Sequence, residues 1–210
     1  MEDNALQSLR ERPAADICRE CDLEDDHGAA LAANPDAAAF LRSLLGAGAA
    51  RDAVRFLAHA LSPKYAVWWG AHCVGTLDVK SMPADAQAAF AATHAWLVDP
   101  KESQRRAAQA AADRCGIGLP AGCLALSVFL AEGSLGPPDL AQEVPVPPFA
   151  CAKAVAGAVL LASVRVPERA QATAIAFVES WNDLAQRPPP WGRPGGASAS
   201  ADTQPQKRQP

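Results

Sequence analysis

Cys18, Cys21 and His27 are the residues whose types and spacing come nearest to a metal or thiol site. Two thiolates two residues apart, with an imidazole and the acids Asp22, Glu24, Asp25 and Asp26 close by, would fill three corners of a zinc tetrahedron. A structural zinc site usually takes a second ligand pair, and the chain has no second CxxC and no HxxxH. The ligand set is therefore incomplete, and no cofactor is expected. A redox use of the same pair needs the first thiol at a helix N-terminus in a strand-rich fold, whereas here the motif sits late in a helical segment.

The second chemical constellation is "SPKYAVWWGAHCVG", residues 62–75, where two tryptophans precede His72 and Cys73. An imidazole beside a thiol suggests an activated nucleophile. Adjacent residues on a helix point about 100° apart, so His72 and Cys73 do not face one another. Helical spacing instead groups Tyr65, Trp69, His72 and Cys73 on one face and Trp68, Ala71, His72 and Gly75 on an overlapping one. The two tryptophans must point in different directions, one into a core and the other beneath the proline strap at 133–149. No G-x-S-x-G, H-E-x-x-H, phosphate-cradling or kinase-like motif is present, so an enzyme lacks a sequence handle.

The elements that must position these residues are helical. Half of the 210 residues are hydrophobic, yet only 6% are aromatic. Alanine carries much of the apolar share, which favours helices packed through small side chains over a β-sandwich. Phe40, Leu41, Leu44 and Leu45, then Val54, Leu57, Ala58 and Leu61, recur at helical spacing. Ser62-Pro63 predicts an N-cap and first helical position, Pro83 another start, and Gly116 a C′ stop. "AGCLALSVFLAEG" is apolar all round and belongs inside. "DLEDDHGAALAANP" reads as an acidic connector. "GSLGPPDLAQEVPVPPF" holds five prolines in seventeen residues, which forbid a helix and predict an ordered crossing strap.

These readings combine into an all-α fold. It is an irregular bundle of about eight short helices, mostly antiparallel pairs in the style of a HEAT array or solenoid but without a fixed repeat. One domain is expected over 1–186. Residues 187–210, rich in Pro, Gly and Ser, are expected to form a disordered tail.

"AADIC", "DAVRFLAHALSPKYAVWW", "GSLGPPDL" and "AVAGAVLLASV" occur in an order and spacing that resembles the bacterial helical family DUF6931, a domain of unknown function. The resemblance implies a helical fold and carries no activity, cofactor or catalytic residue. It implies a connection with bacterial secretion or effector systems. The Cys18–Cys21 spacing and the C-terminal Pro/Gly segment lie outside the resembling pattern.

A formal charge of −4 supplies no broad positive field for a nucleic acid. The longest apolar run, 154–164, is far short of the roughly 20 residues that span a bilayer. The N-terminus has no charged-then-apolar signal pattern, so a cytoplasmic location is expected, with the six cysteines as free thiols. The sequence thus points to a non-enzymatic binding or scaffold protein that meets a protein partner. Its candidate binding cluster is Trp68, Trp69, Leu135, Pro137, Pro138 and Asp139. The alternative is a metal or thiol protein using Cys18, Cys21 and His27.

Overall fold

Helix-forming residues at helical spacing leave little else for the backbone to do, and the computed structural model is all-α. It describes residues 12–137, 139–140 and 142–192, with the backbone alone at 24–26. The helices are α1 (Ala14–Glu20), α2 (Glu24–Ala33), α3 (Ala37–Gly46), α4 (Ala50–Ala60), α5 (Pro63–Gly75), α6 (Ala84–Val98), α7 (Glu102–Cys115), α8 (Pro120–Phe129), α9 (Ala150–Ser163) and α10 (Ala170–Leu184). Short 3-10 turns cover Val79–Ser81, Pro167–Arg169 and Pro190–Gly192.

Ten α-helices among the described residues replace the expected eight or so. One addition is α2, in the stretch read as an acidic connector. The alanine-rich run after His27 has the propensity for helix, and no proline interrupts it before Pro35. His27 itself departs from helical geometry, at φ −130° and ψ 20°, and kinks the segment. Other boundaries follow the sequence. α5 begins at Pro63, although the Ser62 hydroxyl makes no capping bond; the extended backbone at Ser62 is what a following proline imposes. Gly116 ends α7 at φ +80°, a conformation that costs glycine little.

Helix α9 is the hub, packing against α4, α5, α8 and α10, while α6, α7 and α8 form a mutually packed layer beside it. A solenoid confines contacts to neighbouring repeats. Here α9 and α10 both reach back to α4, so the arrangement is a bundle around a common core. Small side chains permit these approaches. A Cβ at Gly70 would lie 2.8 Å from Leu124 Cδ1 and 3.2 Å from Val155 Cγ1, where α5 meets α8 and α9. Trp69, Trp96, Trp181, Phe40 and Phe56 fill the interior.

The described part of the strap between α8 and α9 doubles back on itself. The Leu135 N–H donates to the Val144 carbonyl at 2.8 Å, and the Ser134 hydroxyl accepts from the N–H groups of Gly136 and Val144. Arg105, 1% exposed, clamps its start by donating to the carbonyls of Phe129 and Ser134 at 2.7 and 2.8 Å. Arg106 donates to Ser134 and Gly136, and both guanidinium groups lie over the Phe129 ring. Glu102 pairs with both guanidinium groups. The Arg105 hydrogen bond, helped by Arg106 and opposed by slight desolvation, holds its carboxyl at about 2.

Residues 187–191, assigned by composition to a disordered tail, instead pack on the bundle. Trp191 sets its ring edge-on to Tyr65 and Trp68, at centroid distances of 5.1 and 5.8 Å. A large aromatic ring buries enough surface to order a proline-stiffened segment that its neighbours alone would not. The rest of the expected tail, 193–210, lies outside the described residues. No single helix among the described residues is long and apolar enough to cross a membrane.

Candidate functional site

The two adjacent tryptophans divide as helical geometry demands. Trp69 is fully buried and its indole N–H donates to the Phe177 carbonyl at 2.9 Å. Trp68 is half-buried between Tyr65 and Trp191. The proline segment covering it is thus the one at 188–190 and not the strap after α8. Leu135 is half-buried and Pro137 and Asp139 are exposed in the region clamped by Arg105 and Arg106; Pro138 lies outside the described residues. Among the described residues, no hydrogen bond or ring contact joins Leu135, Pro137 or Asp139 to either tryptophan.

Trp68, Ala71, His72 and Gly75, the face grouped from sequence, line a cleft of about 540 Å³ with Phe90, His94 and Leu97 of α6 and with Arg187. Desolvation, with the positive charge of Arg187, lowers the affinity of His72 for a proton. Cys73 points into the core, where burial pushes its thiol up. His72 and Cys73 therefore serve different surroundings.

The N-terminal constellation also disperses. Cys18 and Cys21 are buried, and Cys21, pushed up to about 12 by burial and then by the neighbouring Cys18, donates its S–H to the Ile17 carbonyl. His27 turns to Asp52 of α4, 2.9 Å away, and meets Phe40 edge-on. No group of three or more His, Cys, Asp or Glu side chains among the described residues is placed to hold a metal ion. None of the six cysteines is in a disulfide.

A second cleft, of about 500 Å³, brings together residues that the sequence reading passed over. Its walls are apolar: Leu61, Pro63, Ala66, Leu130, Val146, Pro147 and Phe149. Four polar side chains line it: Arg12, Glu20, His59 and Ser62. Arg12, in the extended segment before α1, donates to the His59 carbonyl at 2.9 Å and pairs with Glu20 Oε1. His59, at the end of α4, is only 5% exposed, with Nδ1 2.8 Å from the Arg55 carbonyl. A carbonyl only accepts, so Nδ1 carries the proton and Nε2 of the neutral ring is an acceptor. Burial keeps the ring neutral by lowering its affinity for a proton, against opposing effects of the Arg55 carbonyl and Glu20.

Among the described residues, two acceptors on side chains that line this cleft make no hydrogen bond, and neither do the buried indole N–H groups of Trp96 and Trp181. His59 Nε2 and Glu20 Oε2 are both buried and unbonded. Such atoms are uncommon in folded proteins, because each costs the desolvation of a polar group without a compensating bond. Phe149 packs over the His59 ring at 6.1 Å, itself 43% exposed and held at φ +60°, a region that side-chain-bearing residues rarely occupy. Strained backbone of this kind clusters at functional sites. The available sequence signals were a histidine in the last turn of an apolar helix and an aromatic after Pro147-Pro148, and neither is specific.

The model of DUF6931, a family of unknown function, matches residues 40–185. The chain belongs to this family. This DUF6931 protein matches no curated protein and no solved structure. The matched span holds α4 to α10 in full, with His59, Phe149 and Cys151. Both clefts are completed from outside it: one by Arg12 and Glu20, the other by Arg187, Pro188 and Pro190. Cys151 lines the His59 cleft, but burial pushes its thiol up to about 12, which deprives it of nucleophilic character near neutrality.

Proposed function

We propose that this chain is a non-enzymatic helical binding protein whose His59 cleft receives part of a protein partner. The observation that carries the reading is the pair of unpartnered acceptors, His59 Nε2 and Glu20 Oε2, in an apolar cleft of about 500 Å³. An apolar pocket with a few convergent polar groups is the usual form of a recognition site. Unmet hydrogen-bonding capacity there supplies orientation once a partner enters. The Trp68 face borders a second cleft, and there Trp191 of the chain itself already packs against Trp68. Six cysteines without a disulfide suit a reducing, cytoplasmic setting. Service beside a bacterial secretion or effector system belongs to this reading on the strength of the family resemblance.

The test fills the cleft. Ala152, half-buried in its wall, is replaced by tryptophan, and proteins recovered on the full chain from its native cell are compared for wild type and Ala152→Trp, with circular dichroism checking the fold. A partner held by the wild type and lost from the variant is the expected result. Equal recovery places the interface elsewhere.

A further inference from the structure

We propose that the rings of Tyr65 and Trp68 form a docking site for a proline-rich segment of a partner protein that carries an aromatic residue, and that the chain covers this site with its own residues 188–191. Helical spacing sets the two rings side by side on α5, their centroids 6.2 Å apart, and Trp181, 1% exposed, backs Tyr65 edge-on from the core. The ring surface is thus braced before anything lies on it. What lies on it is Trp191, edge-on to both rings, with Pro188 and Pro190 lining the adjoining cleft. Aromatic surfaces suit proline-rich segments, which are already stiff and lose little entropy on docking. The seated segment displays the chemistry that the site accepts.

The cover does not fill the site. A cleft of about 540 Å³ remains, with Trp68, Phe90, His94 and Leu97 on the bundle side and Arg187, Pro188 and Pro190 on the other. A segment longer than the cover has ring and aliphatic surface left to meet there. The cover also stands outside the family span: Tyr65, Trp68, Phe90 and Leu97 fall within residues 40–185, and 187–191 follow it. The matched span thus supplies the ring surface, and the segment after it supplies the cover. With the segment lifted, Tyr65 and Trp68 present an exposed aromatic patch, the usual mark of a recognition surface. Tethered to the end of α10, the cover competes from a high effective concentration, so a partner engages only the fraction of chains in which Trp191 has lifted. The site is separate from the His59 cleft.

The experiment titrates a fluorescein-labelled peptide of residues 187–192, Arg-Pro-Pro-Pro-Trp-Gly, into the full chain and follows its anisotropy. Trp191→Ala, which removes the covering ring, should bind the peptide about ten-fold more tightly than wild type, or better. In that background Trp68→Ala should lower the affinity about five-fold or more, as should alanine in place of the tryptophan or of the three prolines of the peptide. Circular dichroism checks the fold, and the peptide changes decide alone if the double variant does not fold. Equal binding to wild type and Trp191→Ala, equal binding of the peptides, or no binding overturns the site. From a lysate of the native cell, the immobilised Trp191→Ala chain should hold, with or without Ala152→Trp, a protein that the peptide releases and its alanine version does not. Release of none overturns the partner, and release lost with Ala152→Trp returns that partner to the His59 cleft. A wild-type dimer, seen by sedimentation and lost in Trp191→Ala, gives the site to a second copy instead.

Discussion

The two clefts of this protein are similar in size and opposite in character. The one beside Trp68 is walled by rings, and Trp191 of the same chain sits edge-on against Trp68 and Tyr65. Its aromatic surface is spent on holding the C-terminal segment. The one beside His59 is walled by aliphatic groups and contains two acceptors that nothing in the described chain satisfies. The first cleft contributes to stability by contact; the second keeps an unmet demand at a cost to stability. Residues retained against stability are more telling of function than residues that serve it.

Four experiments break or sharpen that contrast. The largest effect belongs to α5. Trp69→Ala should cost about 3–5 kcal/mol in urea unfolding, as for other buried tryptophans, while Trp68→Ala should cost only about 1–2 kcal/mol. Equal losses would mean that Trp68 is as much core as Trp69, and the first cleft would cease to be a surface.

His59→Leu should then leave stability within about 1 kcal/mol of wild type, on the stabilising side, because it removes an unsatisfied buried acceptor. A loss of several kcal/mol would show that the imidazole is structural and would erase the difference between the clefts.

Acid titration gives the third. His59 and His72 are held by burial below their ordinary 6.5. Just below 6.5 the unfolded chain therefore binds more protons than the folded one, so stability is complete above that pH and falls as pH drops toward the lowered native values. Glu102, held down to about 2 from 4.5, adds a second fall between those values. His59→Leu should shrink the first fall, leaving the shares of His72 and of His94, which burial also lowers, and should keep the second, as read by unfolding at stepped pH.

The smallest effect separates the histidines. Arg187→Ala removes a positive charge that depresses His72, so the His72 titration followed by NMR should move up toward 6.5 while His59 stays in place. Movement of both would couple two clefts that the structure keeps apart.

Legibility differed between the clefts for a physical reason. Trp68, Ala71, His72 and Gly75 share one helix face, and the helical period put them together before any fold was known. Arg12, Glu20, His59 and Phe149 come from four separate segments, and no periodicity links them. Proline content pairs one tryptophan with the strap after α8, whereas the prolines that line the cleft beside Trp68 are Pro188 and Pro190. Composition also concealed α2, where acids beside His27 outweighed the alanines that follow in the reading but not in the backbone.

By itself, the sequence determined the all-helical class, the helix starts at Pro63 and near Pro83, the stop at Gly116, and the opposed directions of Trp68 and Trp69. These are local properties, set by backbone sterics and by the 3.6-residue turn. Only the tertiary structure decided that α9 would be the hub, that Trp191 would return to α5, and that Glu20 and His59 would line one cleft, each with one buried acceptor atom that makes no hydrogen bond among the described residues. Alanine-rich faces fit many neighbours about equally well, so the choice among them follows from the joint packing of the whole bundle and leaves no local mark in the chain.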